Sequence, residues 1–111
     1  MNEIEDRKPV ETLAVTLNNM ILLPEKEVRK RRGNRSSSSQ ANDVREGTFI
    51  IPVKLGGGAK LKFYPDHEVD ILIAQEVAGA SKEEKRKLVR LLMKARTEHF
   101  NSLASQYKVA A

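Results

Sequence analysis

From Arg29 to Arg35 the chain reads RKRRGNR, five basic residues in seven, and runs directly into four serines, Ser36 to Ser39. Guanidinium and ammonium groups at this density attract phosphate, and serines that open a helix offer hydroxyls and free N–H groups to the same anion. Arg35, Gln40, Asn42 and Arg45 carry the paired donors and acceptors that match base edges, whereas Arg31, Arg32, Lys54, Lys60 and Lys62 suit phosphates. Together with Ser36, Ser37, Ser38 and Ser39 they form a candidate contact set for a phosphate-bearing polyanion. A basic tract also occurs as a solvated face or a localisation signal, and for Lys60 and Lys62 an exposed strand face explains the residues equally well.

Other chemistries find less support. There is no Cys, which excludes disulfides, thiolate metal sites and a cysteine nucleophile. His67 and His99 lack the short spacing of a zinc site. Asp66, Glu68 and Asp70 resemble a carboxylate cluster, but on a helix Asp66 and Asp70 share a face and Glu68 points away, so they read as acids at a helix start. Gly56-Gly57-Gly58 is followed by no GK[ST] and no helix, which argues against a nucleotide loop. No nucleophile, base and oxyanion donors can be assembled, so the expectation is a protein without catalytic activity, metal or cofactor.

The 111 residues fit one domain with a modest core, since hydrophobic residues make up 40%, aromatics 5%, and Trp is lacking. Twenty Lys and Arg against 15 Asp and Glu give a net charge of +5, a weak pointer to a polyanion. The polar start MNEIEDRKP is unlike a signal peptide and no apolar run is long enough for a membrane span, so a cytoplasmic protein with no membrane partner is expected.

The elements that would position these residues can be read along the chain. Residues 1–12 form a polar arm, and Leu13–Leu17 and Met20–Leu23 are short apolar stretches, each a strand or a lead-in to a helix. Pro24 opens a helix from Glu25 to about Arg32, ended by Gly33. One of the four serines caps a second helix, with Ala41 and Val44 as its thin apolar face and Gly47 as its stop; a Ser-rich linker is the rival reading. Phe49–Leu55 and Ala59–Tyr64 make a glycine-tipped hairpin with Pro52 at a strand edge. A third helix follows Pro65, with Val69, Ile71, Leu72, Ile73 and Val77 as buried candidates, up to Gly79. Ser81 and Glu84 form a capping box for a last helix from Lys82 to about Tyr107. Its stripe of Leu88, Leu91, Leu92, Ala95, Leu103 and Tyr107 exceeds what so small a domain can cover, which points to self-association as a homodimer or higher oligomer.

Helix, turn, basic second helix, hairpin, third helix is the order of a winged helix-turn-helix. The segments Ile21-Leu22-Leu23-Pro24, Arg45-Glu46-Gly47-Thr48-Phe49, Pro52-Val53-Lys54-Leu55-Gly56-Gly57 and Tyr64 to Ala74 (YPDHEVDILIA) resemble the AlpA-like family of phage regulatory proteins. That family consists of small winged-helix DNA binders related to excisionases and to MerR-type DNA-binding domains. The resemblance covers about Ile21 to Val77 and implies a mainly α fold with a small β-hairpin wing and residues 13–79 as the DNA-binding domain, which leaves 80–111 as a C-terminal helix for self-association. It further implies double-stranded DNA as the partner, with a second helix in the major groove, a wing on an adjacent groove or backbone, and a role in a bacterial host. The expected function is sequence-specific transcriptional regulation of a phage, prophage or mobile element, with RNA polymerase as a possible partner. Alternatives are an excision factor that bends DNA for an integrase, and a small interaction protein that works through its last helix.

Overall fold

Pro24 is where strand becomes helix: its backbone has φ −61° and ψ 149°, and no N–H is lost where a helix could not use one. It closes β1 (Leu22–Pro24) and opens α1 (Glu25–Arg31) in this computed structural model, which describes residues 20–55 and 61–106. Then come α2 (Ser37–Glu46), β2 (Val53–Lys54), β3 (Lys62–Pro65), α3 (Asp66–Val77) and α4 (Lys82–Gln106). The chain is mainly helical, with a small antiparallel sheet in the order β1-β3-β2 and a long C-terminal helix. The 1–12 arm, Leu13–Leu17, Gly56–Gly58, Lys60 and Tyr107 lie outside the described residues.

Local chemistry sets the boundaries. Glu25 and Glu27 sit in the first turn of α1 and Arg29, Lys30 and Arg31 in its last, each sign at the favourable end of the helix dipole. Gly33 (φ 74°) and Asn34 (φ 61°) make the left-handed turn that follows, which suits glycine and, among other residues, asparagine. Ser36 caps α2, its hydroxyl accepting from the Ser39 N–H at 3.2 Å, and Gly47 ends it at φ 78°. At α4 the Ser81 N–H donates to Glu84 Oε1 at 2.9 Å and the Glu84 N–H to Ser81 Oγ at 3.2 Å.

The core gathers Leu23, Val28, Phe49, Ile50, Tyr64, Val69, Leu72, Val89 and Leu92, with no residue of α2 or β2 among them. Several expectations need correction. Of Phe49–Leu55 only Val53 and Lys54 pair as strand, because Phe49 and Ile50 turn inward and are buried as irregular chain. On α3 the inner face is Glu68, Val69 and Leu72, which leaves Ile71 and Val77 exposed. On α2 the buried pair is Gln40 and Asp43; Ala41 is exposed and Val44 only half-buried. The stripe on α4 divides. Val89 and Leu92 are core, Leu88 packs against it, and Leu91, Phe100 and Leu103 are exposed.

Because one of four adjacent serines makes the cap, Ser36→Ala should destabilise the fold by about 1 kcal/mol in urea denaturation, and Ser37→Ala should be near neutral. Equal effects from the two substitutions would contradict the capping assignment.

Candidate nucleic-acid interface

Arg32 leaves α1 at its C-terminus and turns inward, with only 4% of its side chain exposed. Its Nε and Nη2 donate to the two carboxylate oxygens of Glu76 on α3, at 3.2 and 2.7 Å. Its Nη1 donates to Gln40 Oε1 at 2.6 Å and Asp43 Oδ2 at 3.0 Å, both on α2. The guanidinium carbon lies 4.2 Å from the centre of the Phe49 ring. Phe49 meets Tyr64 edge-on at 5.5 Å, and Gln40 Nε2 donates to the Tyr64 hydroxyl at 3.3 Å, which closes a ring of contacts around Arg32. With four N–H···O bonds and an aromatic face, this guanidinium ties α1 to α2, α3 and the irregular chain after α2.

Asp43 is the second centre. Arg35 donates to it from Nε at 2.5 Å and Nη2 at 2.9 Å. Burial alone would raise the Asp43 carboxyl, but the hydrogen bonds from Arg35 and Arg32 overcome that and hold it below its ordinary value. The same bond to Asp43 outweighs desolvation and raises Arg35, so both partners stay charged. The Asp43 carbonyl also accepts from the Thr48 and Phe49 N–H groups, at 2.9 and 3.3 Å, which steers the chain leaving α2 into the core.

With Gln40 and Asp43 facing in, helical periodicity turns Ser37, Ser38, Ala41, Asn42 and Arg45 outward. All five are exposed, and the Arg45 guanidinium hydrogen-bonds to Asn42 Oδ1. The acid at the end of the helix, Glu46, is held by α4: Lys82 lies 3.9 Å from its carboxylate, and Arg86 Nε donates to its carbonyl at 3.0 Å.

Pairing sorts the cations further. Arg29, Arg31, Arg32, Arg35, Lys82, Lys85, Arg86, Lys94 and Arg96 each have a carboxylate partner. Lys26, Lys30, Arg45, Lys54, Lys62, Lys87 and Arg90 have none among the described residues. Lys54 and Lys62 stand directly opposite each other across β2 and β3, an arrangement of like charges that destabilises a sheet unless an anion lies against it.

Not every candidate residue from the sequence faces outward. Gln40, expected at a base edge, is fully buried and spends its amide on Arg32 and Tyr64. Arg32, expected at a phosphate, is enclosed, and Arg35 is committed to Asp43 although its side chain is 39% exposed. Ser36 and Ser39 are occupied with each other at the cap. Arg31 is exposed beside Glu27 and Asp70, at 3.2 and 3.5 Å, pairs that water screens strongly. Ser37, Ser38, Asn42, Arg45, Lys54 and Lys62 remain accessible or partly so.

Helix α4 is attached by three basic residues. Arg96 donates to both oxygens of the buried Glu68 carboxylate, at 2.5 to 3.1 Å, and to the Ile51 carbonyl at 2.9 Å. Lys85 reaches Glu76 at 3.4 Å, and Arg86 holds the end of α2. Leu88 and Leu92, expected in a self-association surface, serve this intramolecular packing instead, and Ala95 is half-buried. The His67 side chain is only 9% exposed, beside Glu68. Burial pushes its imidazole down, against the pull of that carboxylate. No helix among the described residues is long and apolar enough to cross a membrane.

Comparisons with protein families, with curated proteins and with solved structures return no match to the chain.

Replacing Asp43 by Ala leaves the enclosed Arg32 short of a partner and should cost about 3 kcal/mol in urea denaturation. Since the folded-state pKa of Asp43 is lowered, its contribution is complete above the unfolded-state value and fades as pH falls through the folded one. The stability gap between wild type and Asp43→Asn should therefore be level from about pH 5 to pH 8 and narrow below about pH 4. A gap that does not change with acid would contradict the charge assignment.

Proposed function

We propose that the chain is a sequence-specific binder of double-stranded DNA that regulates transcription in a mobile genetic element. In this reading α1 and α2 form the helix-turn-helix, α2 enters the major groove, and the β2–β3 hairpin is the wing. The observation that carries it is the division of α2: a polar inner face buried around Arg32, and an outer face of Ser37, Ser38, Ala41, Asn42 and Arg45 with no carboxylate on it. An outer face of short side chains with one arginine can approach base edges closely, and Arg45, steadied by Asn42, suits a bidentate contact to guanine O6 and N7. The opposed lysines of the hairpin suit phosphates. The resemblance of Ile21 to Val77 to AlpA-like regulators supports DNA binding in a mobile element, and the long C-terminal helix, suited to a contact with transcription machinery, favours the transcriptional role over excision. Self-association through Leu88 and Leu92 has no place in this reading, since both pack within the monomer.

The test is fluorescence anisotropy on a duplex selected from a randomised library, with a random duplex as competitor. Arg45→Ala should lose about 1–3 kcal/mol on the selected duplex and much less on the random one, so that discrimination collapses. Asn42→Ala should lose part of it. If both variants keep wild-type discrimination, or if no duplex outcompetes random DNA by more than about tenfold, the reading is wrong.

A further inference from the structure

The first helix has a basic face that neither the second helix nor the hairpin explains. Lys26 and Lys30 are four residues apart, hence on one side of α1 and about 6 Å apart along its axis. The acids of α1 do not answer them. Glu25 lies 3.7 Å from Arg29, and Glu27 lies 3.2 Å from Arg31. Two shallow depressions flank the pair. One runs from Lys26, Arg29 and the Glu25 that pairs with Arg29 to Lys62 and Phe63 on β3, and the other from Lys26, Arg29 and Lys30 to Asn34 and Arg35 in the turn before α2. Both are lined by Lys26 and Arg29, so they adjoin across those two side chains as a divided trough between the hairpin and the turn before α2. Arg29 lines both, donating from Nη1 to the Arg35 carbonyl at 3.4 Å, while its Nε faces the Glu25 carboxylate at 3.7 Å, too far for a hydrogen bond.

We infer that this trough holds a stretch of the phosphodiester backbone of a DNA duplex, with Lys26 and Lys30 as its principal phosphate contacts and Lys62 at its far end. The ligand class follows from the layout. Lys26, Lys30 and Lys62 are strung along an open channel rather than converging on one point, which fits an extended polyanion better than a single phosphate. Like charges one turn apart on a helix repel, and a polyanion relieves that cost. The inference rests on the DNA-binding reading and adds to it a contact that carries no sequence information, since phosphate contacts position a protein without reading bases.

Anisotropy titrations over a series of salt concentrations separate the two claims, using the selected and random duplexes with wild type, Lys26→Ala with Lys30→Ala, and Lys87→Ala with Arg90→Ala. The last pair removes two equally unpaired cations from α4. The first double variant should weaken both duplexes by a similar factor, at least tenfold near 0.1 M salt, and lower the log–log salt slope by roughly 1.8. The α4 pair should leave affinity and slope as in wild type. A wild-type slope for Lys26→Ala with Lys30→Ala, or a loss confined to the selected duplex, would overturn the trough while leaving the reading of α2 standing. A lowered slope together with intact discrimination by Arg45→Ala would keep the trough and sink that reading. Failure of wild type to bind either duplex would overturn both.

Discussion

A guanidinium removed from water destabilises a fold unless its charge and its donors are answered, and Arg32 is answered by residues from three different elements. Glu76 brings α3, Gln40 and Asp43 bring α2, and the Phe49 face brings the irregular chain beyond α2. None of these elements could shift appreciably without leaving a buried charge unmatched. The orientation of α2 therefore depends on a polar contact with strict geometry more than on hydrophobic area, of which that helix has little. A helix held by its polar inner side keeps a fixed outer side, which a surface that reads another molecule requires.

The same economy governs the charge of the molecule. Nearly every described carboxylate is used inside the fold, in ion pairs or, for Asp66 and Glu84, in hydrogen bonds to backbone N–H groups. The cations left over are not spread evenly. Lys26, Lys30, Arg45, Lys54 and Lys62 lie on the two helices and the hairpin, and Lys87 and Arg90 on α4. A field of one sign on one part of a small protein favours encounter with a polyanion, and its strength falls with added salt.

Local signals in the sequence marked the elements well, because each depends on residues a few positions apart. Pro24, Ser36, Gly47 and the Ser81–Glu84 pair all stand at the boundaries that their chemistry dictates. The roles of the basic residues were much less legible. Arg32 and Arg45 are alike in a sequence, but one meets Glu76, 44 residues away, and the other meets no carboxylate among the described residues. Arg96 likewise finds Glu68 across 28 residues. The thin apolar face of α2 was the one visible sign that the helix is attached in some other way, but it did not show that Gln40, read as a base-edge residue, is part of the attachment. Lys30 was visible only as part of the basic tract and Lys26 not at all, because their significance comes from where the acids of α1 are spent and from the nearness of β3, neither of which spacing reveals.

The most direct measurement of the central claim, that a fixed outer face of α2 meets DNA, is the amide chemical-shift map of isotope-labelled protein titrated with a duplex selected from a randomised library. The account predicts the largest shifts at Ser37, Ser38, Ala41, Asn42 and Arg45, with smaller ones at Lys26, Lys30, Lys54 and Lys62 and little change along α4 beyond Arg96. Shifts concentrated on α4 around Leu91, Phe100 and Leu103, with α2 unmoved, would contradict it.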